Sequence, residues 1–249
     1  MPTDDDATPP LTLRERRRAA ATREILDAAR RQVTEKGPEG LSLRGIARDL
    51  RMSVQSLYHY FPSRDALVTG LITATYDDLA DAVRTAIDTA PDGDVVTRVL
   101  AGTEGYRRWA ITHPEEFQLL YGTPLRGYAA PPDGPTTQAV RRISAIFHEE
   151  LFGGFTPEQL AAADTARLSP ELGSHLAAMA DGTLPPPATS LLLSLWGHMH
   201  GLVVLEVFGH TTFIGADHQA ELFRMSMRHM LEDAHRRIAG PTGQGQRSP

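Results

Sequence analysis

The amino-acid sequence predicts an all-α protein of about nine to ten helices, in which a three-helix helix-turn-helix domain precedes a larger helical domain. No segment alternates polar and apolar residues over the length of a strand, whereas clusters of glycine and proline separate stretches of helical periodicity. Ser42, Ser53 and Ser63 stand at spacings that suit the N-caps of consecutive helices. With 249 residues, of which 41% are hydrophobic, the chain can bury a sizeable core.

The helices near the N-terminus follow from these start signals and from the stop signal at Gly37-Pro38. The expected helices run from about Arg18 to Lys36, from Ser42 to near Leu50, from Ser53 to near Tyr60 and from Ser63 to Thr89. The second and third helices are short and are joined by a turn of about three residues, which is the pattern of a helix-turn-helix.

The rest of the chain is expected to be helical as well. The expected helices are Val95 to Thr112, Pro114 to Tyr121, Thr136 to Phe152, one from Pro157, one ending near Met179, Ala188 to Phe208 and Ala216 to Ile238. Thr156 and Gln159 have the spacing of a capping box around Pro157. The segment from Gly122 to Pro135 is rich in proline and glycine, and we expect a loop that is either a lid or disordered.

The distribution of charge divides the chain. The net charge is −6, but residues 11–64 carry twelve basic and six acidic side chains, whereas residues 65–249 carry thirteen basic and twenty-two acidic ones. A basic N-terminal part on an acidic body is expected of a protein that meets a polyanion at one end. Chance segregation of solvated surface charges is the alternative interpretation.

Several classes of protein are excluded or disfavoured. The absence of cysteine excludes disulfides, thiolate metal sites and cysteine nucleophiles. The acidic N-terminus lacks the apolar segment of a signal peptide. The most apolar stretch, Leu191 to Phe208, contains His198, His200 and Glu206, which are costly inside a bilayer. We therefore expect a cytoplasmic protein without a membrane partner, in which this stretch is a buried helix.

The helix-turn-helix needs apolar packing, which Ile46, Leu50, Met52, Leu57 and Tyr60 can provide, with Ala47 where the two helices cross. The third helix is too short to be stable alone, so it must pack on the first and fourth helices. Its remaining side chains include no acid. If this segment served only to form a core, the absence of acidic side chains on its outer face would have no explanation, whereas contact with DNA explains it.

The residue types on that face suit the edges of bases and the phosphates of a duplex. Glutamine can form a bidentate pair with adenine, and valine can contact a thymine methyl group. Capped helix N-termini and nearby arginines can bind phosphates, and a basic run, Arg14 to Arg18, is expected just ahead of the first helix. The candidate DNA-contacting residues are Arg18, Ser42, Arg44, Ser53, Val54, Gln55, Ser56, Tyr58, His59 and Arg64.

The segment "TREILDAARRQVTEKGPEGLSLRGIARDLRMSVQSLYHYFPSRDAL" resembles the DNA-binding head of the TetR (tetracycline-repressor-like) regulators, and the resemblance covers about residues 14–70. Two positions depart from the family's pattern. Arg51 stands where the family usually has glycine, and a left-handed residue other than glycine costs roughly 1 kcal/mol; we expect its side chain to gain a phosphate. Arg64 replaces the usual lysine, which keeps the charge and changes its geometry.

A second resemblance lies in the body of the chain. "LWGHMHGLVVLE" and "HPEEFQLLYGTP" are similar to the C-terminal domain of a TetR subgroup named for a Trp-His-Gly signature, here Trp196, His200 and Gly201. The resemblance implies a homodimer that binds a palindromic operator in double-stranded DNA and is released by a small-molecule effector, usually as a repressor. An alternative is a DNA-binding regulator without a ligand, whose body serves only dimerisation.

The resemblance also implies a ligand cavity and a dimer interface built from the helices of the body. The candidate ligand-binding residues are Trp109, Phe117, Tyr121, Phe147, Trp196, Met199, His200 and Phe208; each also suits ordinary core packing. The candidate dimerisation residues are Gly197, Gly201, Leu205 and Leu222. Gly197 and Gly201 share a helix face, and the helix that approaches them could equally belong to the same subunit.

These patterns together divide the chain into four parts. Residues 1–13 are expected to be a disordered acidic tail, 14–66 the DNA-binding domain, 67–239 the ligand-binding and dimerisation domain, and 240–249 a second disordered tail. An enzyme is disfavoured, because His198 and His200 point to opposite sides of a helix and "HEELF" lacks the second histidine of a metalloprotease. We expect no metal and no cofactor.

Overall fold

The structure is a computed structural model that describes residues 12–91, 93–123, 125, 127–165, 167–180 and 182–240. Within these residues the secondary structure is helical throughout, with eleven α-helices, two short 3-10 helices and no strand. The predicted all-α class is therefore confirmed, and the eleven α-helices correspond to the eleven helical stretches expected from the sequence, one more than the overall total of nine to ten. The tails expected at 1–13 and 240–249 lie almost wholly outside the described residues.

The α-helices are α1 Leu13–Lys36, α2 Leu43–Asp49, α3 Val54–Tyr58, α4 Arg64–Asp88, α5 Val95–Thr112, α6 Pro114–Tyr121, α7 Pro135–Phe152, α8 Pro157–Ala161, α9 Pro170–Met179, α10 Pro186–Val207 and α11 Ala216–Ala239. A 3-10 helix, Pro38–Gly40, follows α1, and another, Thr212–Ile214, precedes α11.

Helix α1 begins earlier than the sequence pattern predicted. The side chain of Thr12 accepts a hydrogen bond from the Glu15 backbone at 3.2 Å, and the Glu15 carboxylate accepts one from the Thr12 backbone at 2.8 Å. This capping box starts the helix at Leu13. The basic run of Arg14 to Arg18, which was expected just ahead of the first helix, is therefore part of α1.

The chain forms two compact units. The first contains residues up to Tyr76 together with Glu115–Gln138, and the second contains Asp77–Pro114 and the residues from Ala139 onwards. These units differ from the division expected at residue 66, because part of the body's sequence joins the first unit.

The first unit has a core built mainly by the first four helices. The buried side chains include Ile25, Ala28, Ala29 and Val33 of α1, Ile46 and Ala47 of α2, Leu57 of α3, and Leu67, Val68 and Leu71 of α4. Burying a leucine side chain stabilises a fold by about 1.5–3 kcal/mol. With five residues, α3 depends on this packing and not on its own helical propensity.

Helix α6 and the residues after it complete the core of the first unit. Leu119 and Leu125 are buried in the cluster, and the hydroxyls of Tyr128 and Thr69 lie 3.1 Å apart. The described part of the loop from Gly122 to Pro135 thus includes residues that pack against the helix-turn-helix core. Glu116 of α6 is also buried, and its carboxylate lies 3.5 Å from Nε of Arg30.

The second unit is organised around α5, α10 and α11, which pack on one another. Two half-buried ion-pair groups join its helices. The carboxylate of Glu150 on α7 accepts hydrogen bonds from Arg84 and Arg98 at 2.9 Å each. Arg107 of α5 donates to Glu206 of α10, with one bond at 2.7 Å. Half-buried, hydrogen-bonded pairs of this kind hold helix orientations more firmly than exposed pairs do.

Candidate nucleic-acid interface

The turn between α2 and α3 has a defined backbone geometry. Ser42 caps α2 by accepting a hydrogen bond from the Gly45 backbone at 3.3 Å, and the Met52 backbone donates to the carbonyl of Ala47 at 2.9 Å. Arg51 adopts a φ of 53°, in the left-handed region that favours glycine. The strain that the resemblance predicted at this position is therefore present in the structure.

Gln32 of α1 is a positioning residue that the sequence interpretation missed. Its side-chain oxygen accepts a hydrogen bond from the Ser42 backbone at 3.0 Å, and its amide nitrogen donates to the Asp49 carboxylate at 3.1 Å. One buried side chain thus ties α1 to both ends of α2. Gly45 leaves room for it, because a Cβ there would lie 2.5 Å from the Gln32 amide nitrogen. The available signal was a glutamine on the apolar face of α1, beside Ala29.

Helix α3 is capped by Ser53, whose hydroxyl accepts a hydrogen bond from the Ser56 backbone at 3.0 Å. The two serine hydroxyls also lie 2.8 Å apart, so they partly satisfy each other. Gln55, Tyr58 and His59 are exposed as predicted.

Val54 and Ser56 are only half-exposed, and Val54 packs against the core cluster. The face that α3 offers to a partner is therefore narrower than the sequence pattern suggested. It is made mainly of one amide, one phenol and one imidazole, with no carboxylate among them.

Basic side chains lie on the elements before and after α3 in the chain. Arg44 and Arg51 are exposed and Arg64 is half-buried, and none of the three has an ion-pair partner in the described part of the chain. Ser63 caps α4 by accepting a hydrogen bond from the Ala66 backbone at 3.0 Å. Unpaired guanidinium groups beside an acid-free helix face form a surface suited to a polyanion.

Arg18 differs from the other arginines of the candidate set. Its guanidinium donates a hydrogen bond to the backbone carbonyl of His59 at 3.2 Å and lies 5.8 Å from the centre of the Tyr60 ring. The side chain expected to reach DNA is thus engaged at the C-terminal end of α3.

The candidate ligand-binding residues are divided between the two units. Phe117, fully buried, and Tyr121 belong to the first unit; Trp109, Phe147, Trp196, Met199 and His200 belong to the second. Phe208, also in the second unit, is 43% exposed. One described pocket, of about 320 Å³, is lined by polar residues of α1 alone, so it is not the predicted cavity.

Three of the residues around α10 form a connected group. The Tyr106 hydroxyl lies 2.9 Å from Nδ1 of His200, and the His200 ring stacks on Trp196 with ring centres 5.2 Å apart. Burial lowers the pKa of His200 from its ordinary value, because desolvation disfavours the charged imidazole. Trp196 is nevertheless 46% exposed, which places the group at the edge of the core.

Helix α10 is less buried than the sequence pattern predicted. It is the one helix of the described residues that is long and apolar enough to cross a membrane, yet only 33% of its most apolar window is buried. Gly197, Leu205 and Leu222 are exposed and Gly201 is half-exposed. Apart from the adjacent residues and the nearby backbone of α10 itself, no atom of the described chain lies within 4 Å of a Cβ added at either glycine. Among the described helices, none other than α10 therefore packs closely over these two glycines.

Families of known proteins match both parts of the chain. Residues 25–71 match the family described as "Bacterial regulatory proteins, tetR family", and residues 99–230 match the family described as "Tetracyclin repressor-like, C-terminal domain". The HTH-type transcriptional regulator Rv1816 of Mycobacterium tuberculosis (strain ATCC 25618 / H37Rv) is 35% identical over 195 residues, which are 78% of this chain and 82% of that protein.

Solved structures share the fold. The crystal structure of SCO4313 is similar with a TM-score of 0.68 and 32% identity, covering 89% of this chain and 100% of that one. The structure of RolR in complex with resorcinol has a TM-score of 0.52 and 12% identity, covering 89% of this chain and 96% of that one. The likeness to RolR concerns the fold alone.

The left-handed backbone at Arg51 leads to a prediction about stability. We expect the free energy of unfolding of Arg51→Gly to be about 0.5–1 kcal/mol larger than that of Arg51→Ala, because only glycine adopts a positive φ without strain. Urea denaturation of the two variants measures the difference. Both variants lose the guanidinium expected to meet a phosphate, so both should bind duplex DNA more weakly than the parent. Equal stability of the two variants would show that the turn is not strained.

Proposed function

The chain belongs to the tetR family of bacterial regulatory proteins, and on this basis we propose that it is a sequence-specific transcriptional regulator, a repressor that a small-molecule effector releases from a palindromic operator. The observation that carries the proposal is the exposed, acid-free face of α3, flanked by arginines without ion-pair partners in the described chain. In functional terms, residues 14–66 bind DNA and residues 67–239 bind the ligand and dimerise.

The chemistry of α3 supports direct reading of bases. Gln55 is exposed at its first turn and can pair with adenine through both its amide atoms. Tyr58 is the last residue of the same short helix, and His59 is its C-cap. The flanking Arg44 and Arg64 supply positive charge for the phosphates, which fixes orientation on the duplex without selecting a sequence.

The exposed apolar side chains of α10 and α11 support a homodimer. Leu193, Trp196, Leu205, Leu222 and Met225 are each more than a third exposed, although they lie on the two long helices at the C-terminal end. Exposed apolar patches on paired helices mark interfaces between proteins. A second copy related by a two-fold axis would cover the same patch on both subunits and bring two copies of α3 to successive major grooves.

The group of Tyr106, Trp196 and His200 supports a ligand response and membership of the Trp-His-Gly subgroup. A histidine held by a buried tyrosine can hydrogen-bond a polar group of a small molecule. RolR, which shares the fold, is bound to resorcinol in its solved structure. An effector that prefers a conformation with poorly spaced recognition helices would lower operator affinity, and α4, which runs through both units, would carry the change.

The first test is selection of binding sites from random duplex DNA at two salt concentrations. We expect a two-fold-symmetric site, and we expect Gln55→Ala to lose preference at one position of each half-site, since a bidentate base contact contributes about 1–3 kcal/mol of discrimination. Gln138→Ala, which changes an exposed glutamine of α7, is the control and should recover the parental site. Salt-sensitive binding with no recovered motif would contradict sequence-specific regulation.

The dimer can be tested by filling the space above Gly201. We expect Gly201→Leu to weaken self-association about tenfold or more, since the added side chain would hold two α10 helices apart. Gly173→Leu is the matched control, because Gly173 also lies in a helix and a Cβ added there would meet no atom within 4 Å. Analytical ultracentrifugation measures the dissociation constant. An unchanged dimer in Gly201→Leu would place the interface elsewhere.

The ligand response can be tested with the operator in hand. We expect a compound that binds the purified protein to raise the operator Kd, measured by fluorescence anisotropy. We also expect His200→Phe to reduce that compound's effect about tenfold, by removing one hydrogen bond, while leaving operator affinity unchanged without the compound. Operator affinity that is equal with and without every bound compound would favour the alternative in which the body serves only dimerisation.

A further inference from the structure

We propose that Arg18 is a positioning residue for α3: it holds the C-terminal end of this helix in place and does not bind a DNA phosphate itself. The proposal rests on the DNA-binding function proposed above and assigns Arg18 a different part in it. It separates Arg18 from the other arginines of the basic run at the start of α1.

The first observation is the hydrogen bond at the end of α3. Arg18 is 41 residues away from His59 in sequence, yet its Nη2 donates to the His59 carbonyl oxygen at 3.2 Å. His59 is the C-cap residue of α3. The last carbonyl groups of a helix have no partner within the helix and carry partial negative charge. A guanidinium group at this position donates a hydrogen bond to the carbonyl oxygen and offsets its partial negative charge.

The second observation is the ring beneath the guanidinium. The guanidinium carbon of Arg18 lies 5.8 Å from the centre of the Tyr60 ring, and Tyr60 is half-buried and packs against the core cluster. A planar guanidinium can stack on a ring and donate in the same plane, which a lysine ammonium cannot do. Arg18 therefore connects the end of α3 to a ring that the core already holds.

The short length of α3 gives this contact its importance. The helix has five residues and one fully buried side chain, Leu57, near its C-terminal end. Its N-terminal end is held by the Ser53 cap. Because so short a helix has little stability of its own, loss of the contact at His59 would let its C-terminal end fray and change the direction of Gln55 and Tyr58.

The neighbouring arginines at the start of α1 differ from Arg18 in their side-chain partners. Arg14, Arg16 and Arg17 are exposed, and in the described part of the chain none of them has a hydrogen-bond or ion-pair partner for its side chain. Their charges remain available to a phosphate. Arg18 has the same charge and a similar exposure, but its guanidinium is engaged with the chain itself.

The experiment measures the affinity of the full-length protein for its selected operator and for an unrelated duplex, each over a range of salt concentrations. A lost phosphate contact lowers the slope of log affinity against log salt by about 0.9. A lost positioning contact leaves the slope unchanged and lowers the ratio of specific to non-specific affinity. The variants are Arg18→Ala, Arg18→Lys and, as the matched control from the same turn, Arg17→Ala.

We expect Arg18→Ala to keep the parental slope and to lower the specificity ratio by about tenfold, which is the low end of the discrimination from one base contact. Arg18→Lys should behave like Arg18→Ala, because lysine keeps the charge and loses the planar fork. Arg17→Ala should keep the specificity ratio, since within the described chain its side chain makes no hydrogen bond or ion pair with α3. Thermal unfolding of each variant checks that the fold is intact.

A slope reduced by about 0.9 in Arg18→Ala and restored in Arg18→Lys would overturn the proposal, because that is the behaviour of a phosphate contact. A specificity ratio that is unchanged in Arg18→Ala would overturn it as well. Failure of the proposed function has a separate signature, since the parental protein itself would then bind the selected and the unrelated duplex equally.

Discussion

The burial of Leu57 is the interaction on which the rest of the first unit depends. Helix α3 has five residues, and a helix of that length exists only where its neighbours supply the stabilising free energy. Leu57 is fully buried in a cluster formed by α1, α2 and α4, so the opposite face of α3 is left exposed. Core packing therefore decides which side chains of α3 are exposed to a partner. The same packing leaves Val54 only half-exposed.

Polar contacts then refine the position that the core sets. Gln32 holds both ends of α2, the serine caps hold the starts of the helices, and Arg18 reaches the end of α3. Each replaces hydrogen bonds to water with bonds inside the protein and adds only modest net stability. Their main effect is to reduce the number of orientations available to α2 and α3, which favours selective binding because less ordering is needed when a partner binds.

The second unit differs from the first, because its helices are joined by half-buried ion pairs while several large apolar side chains remain exposed to solvent. Its ion pairs at Glu150 and Glu206 hold the helices together, whereas α10 leaves the apolar side chains of Trp196 and Leu205 exposed. Contacts within a single protomer therefore pair these charges but leave these two apolar side chains uncovered. The stacked pair of Trp196 and His200 lies at the edge of the core, next to the buried Tyr106. A ligand and a second subunit would thus act on neighbouring residues of α10.

The left-handed conformation at Arg51 follows from the resemblance to the tetR family. Local chemistry let the sequence by itself determine the helical class, the helix-turn-helix and the caps at Ser42, Ser53 and Thr156. These features involve residues a few positions apart, whose spacing alone selects the conformation. Only the tertiary structure decided that Arg18 meets His59, that Gln32 bridges α2, that Leu125 enters the core of the first unit and that Trp196 stays exposed. The reason is physical: periodicity shows which face of a helix is apolar, but the neighbour that covers a face or accepts a hydrogen bond comes from a distant part of the chain.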